Sequence, residues 1–206
     1  PGWRKQQPEE TRWMDEHQAI WQKGWMHGIE VFNEKEWYPE ALQWASEKNL
    51  AILGNSDNHD VFDRKYDRTK VPIRPVTLVF AKERTEASLK EAMFARRTAT
   101  LFFNKLVGPK ELVEPLVRQS ISVSEPFLYD GGFIYFEVKN SSDIEFTLLK
   151  NGKDDSGLPE KIILPRQSTL VARVKQEKGQ ARTYSFKLEN VLTGVEQPMD
   201  FSFAVR

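Results

Sequence analysis

Gly54-Asn55-Ser56-Asp57-Asn58-His59-Asp60 follows directly on the short apolar run Ala51-Ile52-Leu53. The apolar run reads as a buried strand closed by Gly54. A strand of a parallel sheet delivers the residues after it to the carboxyl end, where α/β enzymes place their sites. Asp57 and His59, two apart at such an end, can both turn toward one point. A carboxylate with a neutral imidazole is good ligation for zinc, manganese or iron. The same tripeptide also suits an Asx-turn with a surface histidine, and the residues alone leave both readings open.

Working outward, the flanking segments alternate between strand and helix signals up to about residue 107. Pro8 fits a helix start, with Glu9 and Glu10 at its positive end and Gly24 as the stop. Gly28 to Phe32 reads as a buried strand. Pro39 opens a second helix with Leu42, Trp44 and Ala45 as its apolar surface and Asn49 as its cap. Val76 to Phe80 reads as a third strand. Thr85 caps a third helix in which Leu89, Ala92 and Met93 share a face. This alternation implies an α/β domain with a parallel sheet and right-handed crossovers.

After Gly108-Pro109 the texture changes. Ile121–Val123, Phe133–Val138, Ile144–Leu149, Lys161–Leu164, Leu170–Val174, Tyr184–Leu188 and Phe201–Val205 are short β-rich runs separated by turn signals such as Asp130-Gly131-Gly132 and Asn151-Gly152. Tyr184, Phe186 and Leu188 alternate with Ser185, Lys187 and Glu189, the period-two mark of a strand with one wet face. Such a series predicts an all-β immunoglobulin-like sandwich. The expected organisation is an α/β domain over 1–107, a linker over 108–117 and a sandwich over 118–206.

Composition narrows the chemistry. The chain of 206 residues carries 30 basic and 30 acidic side chains, and this zero balance argues against a general nucleic-acid binder. No apolar run is long enough to span a bilayer. With no cysteine, thiolate metal sites and thiol nucleophiles are excluded, so a metal must use His, Asp, Glu or water.

In Gly28-Ile29-Glu30-Val31-Phe32-Asn33-Glu34, Glu30 is a charge inside an apolar strand, costly unless paired or near a cation. On a one-sided strand it would simply face water. Asn33 sits where its amide could orient a ligand or a water, or merely shape the turn. Asp60 to Lys70 is rich in charge. It reads either as a solvated loop or as a lid whose Arg64, Lys65 or Arg68 grips a phosphate. Arg96-Arg97-Thr98 could also face phosphate, although cations at a helix C-terminus are ordinary dipole partners. His17 shares a helical face with Trp13, Ile20 and Trp21 and reads as a packing histidine. His27 falls at the amino end of its strand.

Pro1-Gly2, then Glu30 to Asn33, then Ser56-Asp57-Asn58-His59 resemble, in order and spacing, motifs of the PHP (polymerase and histidinol phosphatase) superfamily of metal-dependent phosphoesterases. The surrounding text, including Trp3, Gln6-Gln7-Pro8, Trp13, His17, Tyr38 to Trp44 and Gly54 to Asp57, is most similar to the two-domain Sb-PDE type of bacterial phosphodiesterase. The resemblance covers residues 1 to about 107 closely and the tail more loosely.

The resemblance implies the C-terminal part of a distorted seven-stranded β/α barrel that holds up to three divalent metals (Zn, Mn or Fe). Asp57 and His59 match its final metal-ligand pair. Glu30, Asn33, Arg64 and Arg68 would lie behind the metals or against the substrate. The family's earlier ligands have no match in this chain, which begins one residue after an expected His. Three protein ligands are typical of a catalytic metal, so this chain by itself is expected to be inactive. Its expected partners are a small phosphoester and the N-terminal half of the barrel, or another copy. By family analogy the protein is periplasmic or otherwise exported. The competing reading is a non-catalytic binding or structural module centred on the sandwich. Proofreading and histidinol-phosphate chemistry, from the same superfamily, fit the sandwich tail less well.

Overall fold

A computed structural model describes residues 11–59 and 74–206. The chain divides into two compact units, Pro1–Leu112 and Val113–Arg206.

In the first unit, helix α1 (Asp15–Gln22) begins later than the Pro8 signal predicts, and Gly24 follows its end at a φ of 69°. Its anchor is aromatic. Trp13 packs edge-on against Trp44 at 5.5 Å, and the Lys48 ammonium lies 4.5 Å from the Trp13 ring and 4.6 Å from Trp21. Strand β1 (Gly28–Asn33) is followed by β2 (Glu36–Trp37) and helix α2 (Pro39–Glu47), which starts on Pro39 and buries Ala41, Leu42 and Ala45. Asn49 takes the left-handed conformation just past the helix, as a cap at that position does. Strand β3 (Ala51–Asn55) pairs with β1 in parallel, from Gly28↔Ala51 to Asn33↔Asn55, and β2 covers the other edge of β1 antiparallel.

The next strands depart from the parallel expectation. β4 (Val76–Val79), β5 (Thr98–Phe102) and β6 (Lys105–Val107) form an antiparallel set. Helix α3 (Glu86–Phe94), capped by the Thr85 hydroxyl, is an excursion that leaves and re-enters at one end of the β4–β5 pair, where Phe80 N donates to Arg97 O at 2.9 Å. That closure replaces the expected crossover. A seven-stranded barrel is therefore not evident among the described residues; the strands form mixed sheets. Of the α3 face shared by Leu89, Ala92 and Met93, only Ala92 is buried, while Leu89 and Met93 are exposed.

One edge of β3 is met by hydroxyls instead of a backbone ladder. Ile52 N donates to Thr98 Oγ1 at 3.0 Å, and Gly54 N donates to Thr77 Oγ1 at 2.9 Å. The Thr77 hydroxyl donates back to Gly54 O at 3.1 Å, while Thr100 Oγ1 donates to Val76 O at 3.2 Å. Thr98 and Thr100 are fully buried, and these bonds satisfy hydroxyls that would otherwise be costly there. The approach has no room for a side chain at 54, where a Cβ would stand 1.9 Å from Thr100 Oγ1.

Helix α4 (Lys110–Ser120) contains the division between the units. The second unit holds two antiparallel sheets. One pairs β9 (Phe133–Asn140) with β12 (Ser168–Lys175), β7 (Ile121–Val123) and β8 (Leu128–Asp130). The other runs β11 (Lys161–Leu164), β10 (Phe146–Lys150), β13 (Arg182–Leu192), β14 (Pro198–Val205). Phe136 and Phe203 meet across the sheets at 5.9 Å, and Tyr184, Phe186 and Leu188 are buried as their alternation requires. Buried Asn140 ties the strand ends together, donating to Ile144 O at 2.7 Å and Pro165 O at 2.9 Å while accepting from Ser142. Each predicted run is present as a strand. β8 was not predicted.

Two stability experiments follow. Gly54→Ala should destabilise the first unit by about 1–3 kcal/mol, the cost of overpacking, and Thr100→Ala should recover part of it. Equal denaturant midpoints for Gly54→Ala and the parent would refute the close-approach argument. In the second unit, Asp154 Oδ1 accepts from the Ser156 hydroxyl at 2.5 Å and from Lys150 Nζ at 3.0 Å. These bonds, the Ser156 hydroxyl first, hold its carboxyl down from 3.8 to about 2. A depressed carboxylate contributes stability that is complete above its unfolded value and lost as pH falls through the folded one. Between pH 4 and 2 the parent should therefore lose stability more steeply than Asp154→Asn; an identical decline would remove Asp154 as a cause.

Candidate functional site

The carboxyl ends of β1 and β3 lie side by side, Asn33 opposite Asn55. Glu30 and Asn33 are three apart, so on a regular strand they would face opposite sides. The β1–β3 register shifts between Glu30 and Phe32, leaving Val31 and Phe32 both buried. This bulge returns Glu30 and Asn33 to one face. Asn33 Nδ2 donates to Glu30 Oε2 at 2.9 Å, and Asn55 Nδ2 donates to Glu30 Oε1. The charge inside the apolar strand is thus hydrogen-bonded by two carboxamides. Glu34 N donates to Asn55 O at 3.0 Å, a further link between the strand ends.

Asp57 follows two residues after Asn55, in the left-handed region at φ 44°. This turn brings His59 Nε2 to 3.0 Å from Asp57 Oδ1, with the imidazole 86% and the carboxylate 50% exposed. The distance suits a hydrogen bond. Two ligands each about 2.1 Å from a tetrahedral zinc stand about 3.4 Å apart, so the pair would open slightly to share one. The donor set, one imidazole nitrogen and one carboxylate oxygen, fits zinc, manganese or iron. Among the described residues no group of three or more His, Asp or Glu side chains gathers to hold a metal. The pair by itself offers two donor atoms, one nitrogen and one oxygen.

Tyr38 lies among carboxylates near the β1 end. Burial, its hydrogen bond to Glu36 and the charges of Glu36, Glu30 and Glu34 push its phenol well up, so it stays neutral and donates to Glu36. Arg97 donates to Phe80 O at 3.1 Å and pairs with Glu91, while Arg96 donates to Asn49 O. These two cations serve backbone and helix contacts, and Thr98 is buried in β5. His17 packs on Trp13 at 5.4 Å and accepts from Met14 N, with burial holding its imidazole down. His27 stacks edge-on against Phe94 at 4.7 Å. Arg64, Lys65 and Arg68, like Pro1-Gly2, lie outside the described residues.

Asn55 was the residue sequence reasoning passed over. Its signal was available in part, since an Asn closes both β1 and β3. What no sequence pattern marked was the bulge that brings Glu30 to meet them.

Comparison with known proteins falls into two halves, as the chain does. Residues 121–204 match a family of Ig-like domains. A crystal structure of a two-domain protein from Bacteroides vulgatus, described as containing a predicted PHP-like metal-dependent phosphoesterase, is similar at 31% identity with a TM-score of 0.88. The match covers 98% of this chain and 60% of that one, so this chain spans less than two thirds of its relative's length. No curated protein matches the chain. The Ig-like domain thus accounts for the β-rich half, and the relative extends the likeness to almost the whole chain.

Proposed function

We propose that the chain is part of a metal-dependent phosphoesterase of PHP type, closest to the Sb-PDE phosphodiesterases, in which Asp57 and His59 are metal ligands. The observation that carries this is the Asp57–His59 pair, set 3.0 Å apart on an open turn at the end of β3. Its support from outside is the similarity to the Bacteroides vulgatus protein. On this reading Glu30 and Asn33, with Asn55 bonded to Glu30, would lie behind the metal or against the substrate.

A divalent metal bound there would activate water toward phosphorus and neutralise charge on the leaving oxygen. Asp57 and His59 would hold that metal by one oxygen and one nitrogen, leaving its other positions to groups outside this pair. Catalysis on this reading requires those further ligands, from the N-terminal part of the barrel or from a second copy. Arg64 and Arg68 remain proposed substrate contacts. The phosphate they would receive is that of a small phosphoester.

The test is hydrolysis of bis(p-nitrophenyl) phosphate by metal-loaded protein that includes the completing segment. Asp57→Ala and His59→Ala should each lower kcat by more than about 100-fold, beyond the 10–100-fold typical of groups one step removed from a metal. Turnover equal to the parent in both variants would end the assignment. A metal-loaded parent without phosphoesterase activity would favour the Ig-like domain as the functional part.

A further inference from the structure

We infer that Glu30 is a positioning residue: it locks the carboxamides of Asn33 and Asn55, and through Asn55 it sets the turn that presents Asp57 and His59. The inference rests on the phosphoesterase reading for its purpose, but its geometry stands apart from that reading.

An ionised carboxylate only accepts hydrogen bonds. Each Glu30 oxygen takes one amide N–H, so both Nδ2 atoms must face Glu30 and both Oδ1 atoms are oriented by it. Two side chains on two different strands are thereby fixed by one group. The β1 bulge makes this possible, and bulges of this kind re-aim side chains beside active sites. Asn55 is also held through its backbone by Glu34 N, so side chain and main chain are both fixed at the last residue of β3. Only Ser56 separates it from Asp57, whose left-handed backbone fixes the direction of the turn. An exposed amide–carboxylate contact alone would add little. Two of them converging on a single carboxylate, at the start of a strained turn, form an orienting clamp.

Glu30→Gln is the discriminating change. It keeps the size of the side chain but offers one carbonyl and one NH2, so one of the two carboxamides must turn round or lose its bond. The readout is Mn2+ binding, followed by paramagnetic broadening of the His59 ring signals in NMR. Only three histidines need assigning in this chain. Glu30→Gln should weaken the Mn2+ effect on His59 by about 10–100-fold, as outer-shell changes do, with little change in Tm. Asn55→Ala, at an exposed position, should do the same, and the double variant should be no worse than either alone.

Parent-like Mn2+ affinity in Glu30→Gln or Asn55→Ala, or losses that simply add, would overturn the inference. Asp57→Ala separates this from failure of the site itself. If Asp57→Ala leaves the His59 response intact, the metal-ligand reading falls. If it abolishes the response while Glu30→Gln does not weaken it, only the clamp falls. Should Glu30→Gln fail to fold, Asn55→Ala decides alone.

Discussion

The approach of Gly54 to Thr100 sets the position of β3, and with it everything that leaves its end. A strand ordinarily satisfies both edges through backbone ladders at a spacing of about 4.8 Å. β3 has such a ladder with β1, but its other edge is met by the hydroxyls of Thr98 and Thr77. Buried hydroxyls and amides left without partners would each cost about 1–3 kcal/mol. The arrangement is therefore stable only at a separation where the hydroxyls reach, and glycine at 54 permits that separation. Asn55 and Asp57 follow directly, so the distance that satisfies the threonines also fixes where the candidate site begins.

Much of this fold was legible because its strands carry simple patterns. In the Ig-like domain each long strand has one wet face, and alternation such as Tyr184-Ser185-Phe186-Lys187-Leu188 can be read directly. β8 escaped because Leu128, Tyr129 and Asp130 are all exposed, leaving no alternation to see. β5 escaped for the opposite reason, since Thr98 to Phe102 are all buried. Its hairpin turn into β6 uses Phe103 and Asn104 at positive φ, without the glycine that would have announced it. The antiparallel β4–β5 pair illustrates a deeper limit. Strand, helix and strand in sequence suit either a crossover or an excursion, and what decides here is the Phe80–Arg97 backbone bond, which side-chain patterns do not record.

The candidate site divides in the same way. Asp57 and His59 were visible as residue types after a strand, and Glu30 was visible as a charge where an apolar residue was expected. Local sequence could not show that Glu30 would reach Asn33, because strand parity places residues three apart on opposite faces. The bulge reverses that parity while leaving Val31 and Phe32 both in the core. A polar residue in an apolar strand was thus a true signal whose partner depended on a one-residue irregularity of register.

The contact between Asp57 and His59 does not by itself account for the turn. Even a charged pair as exposed as these two side chains contributes only about 0–1 kcal/mol. A non-glycine residue in the left-handed region costs about 1 kcal/mol or more, least for Asp and Asn. The pair's contribution therefore does not outweigh the strain of the turn that makes it. The turn does hold two donors near a ligand-like separation and keeps both open to solvent. Binding energy from a metal would reward that geometry, because a pair already close to that spacing loses less freedom when it binds. Gly54, within β3, sets how closely that strand approaches Thr100, and so where Asn55 and the turn after it begin.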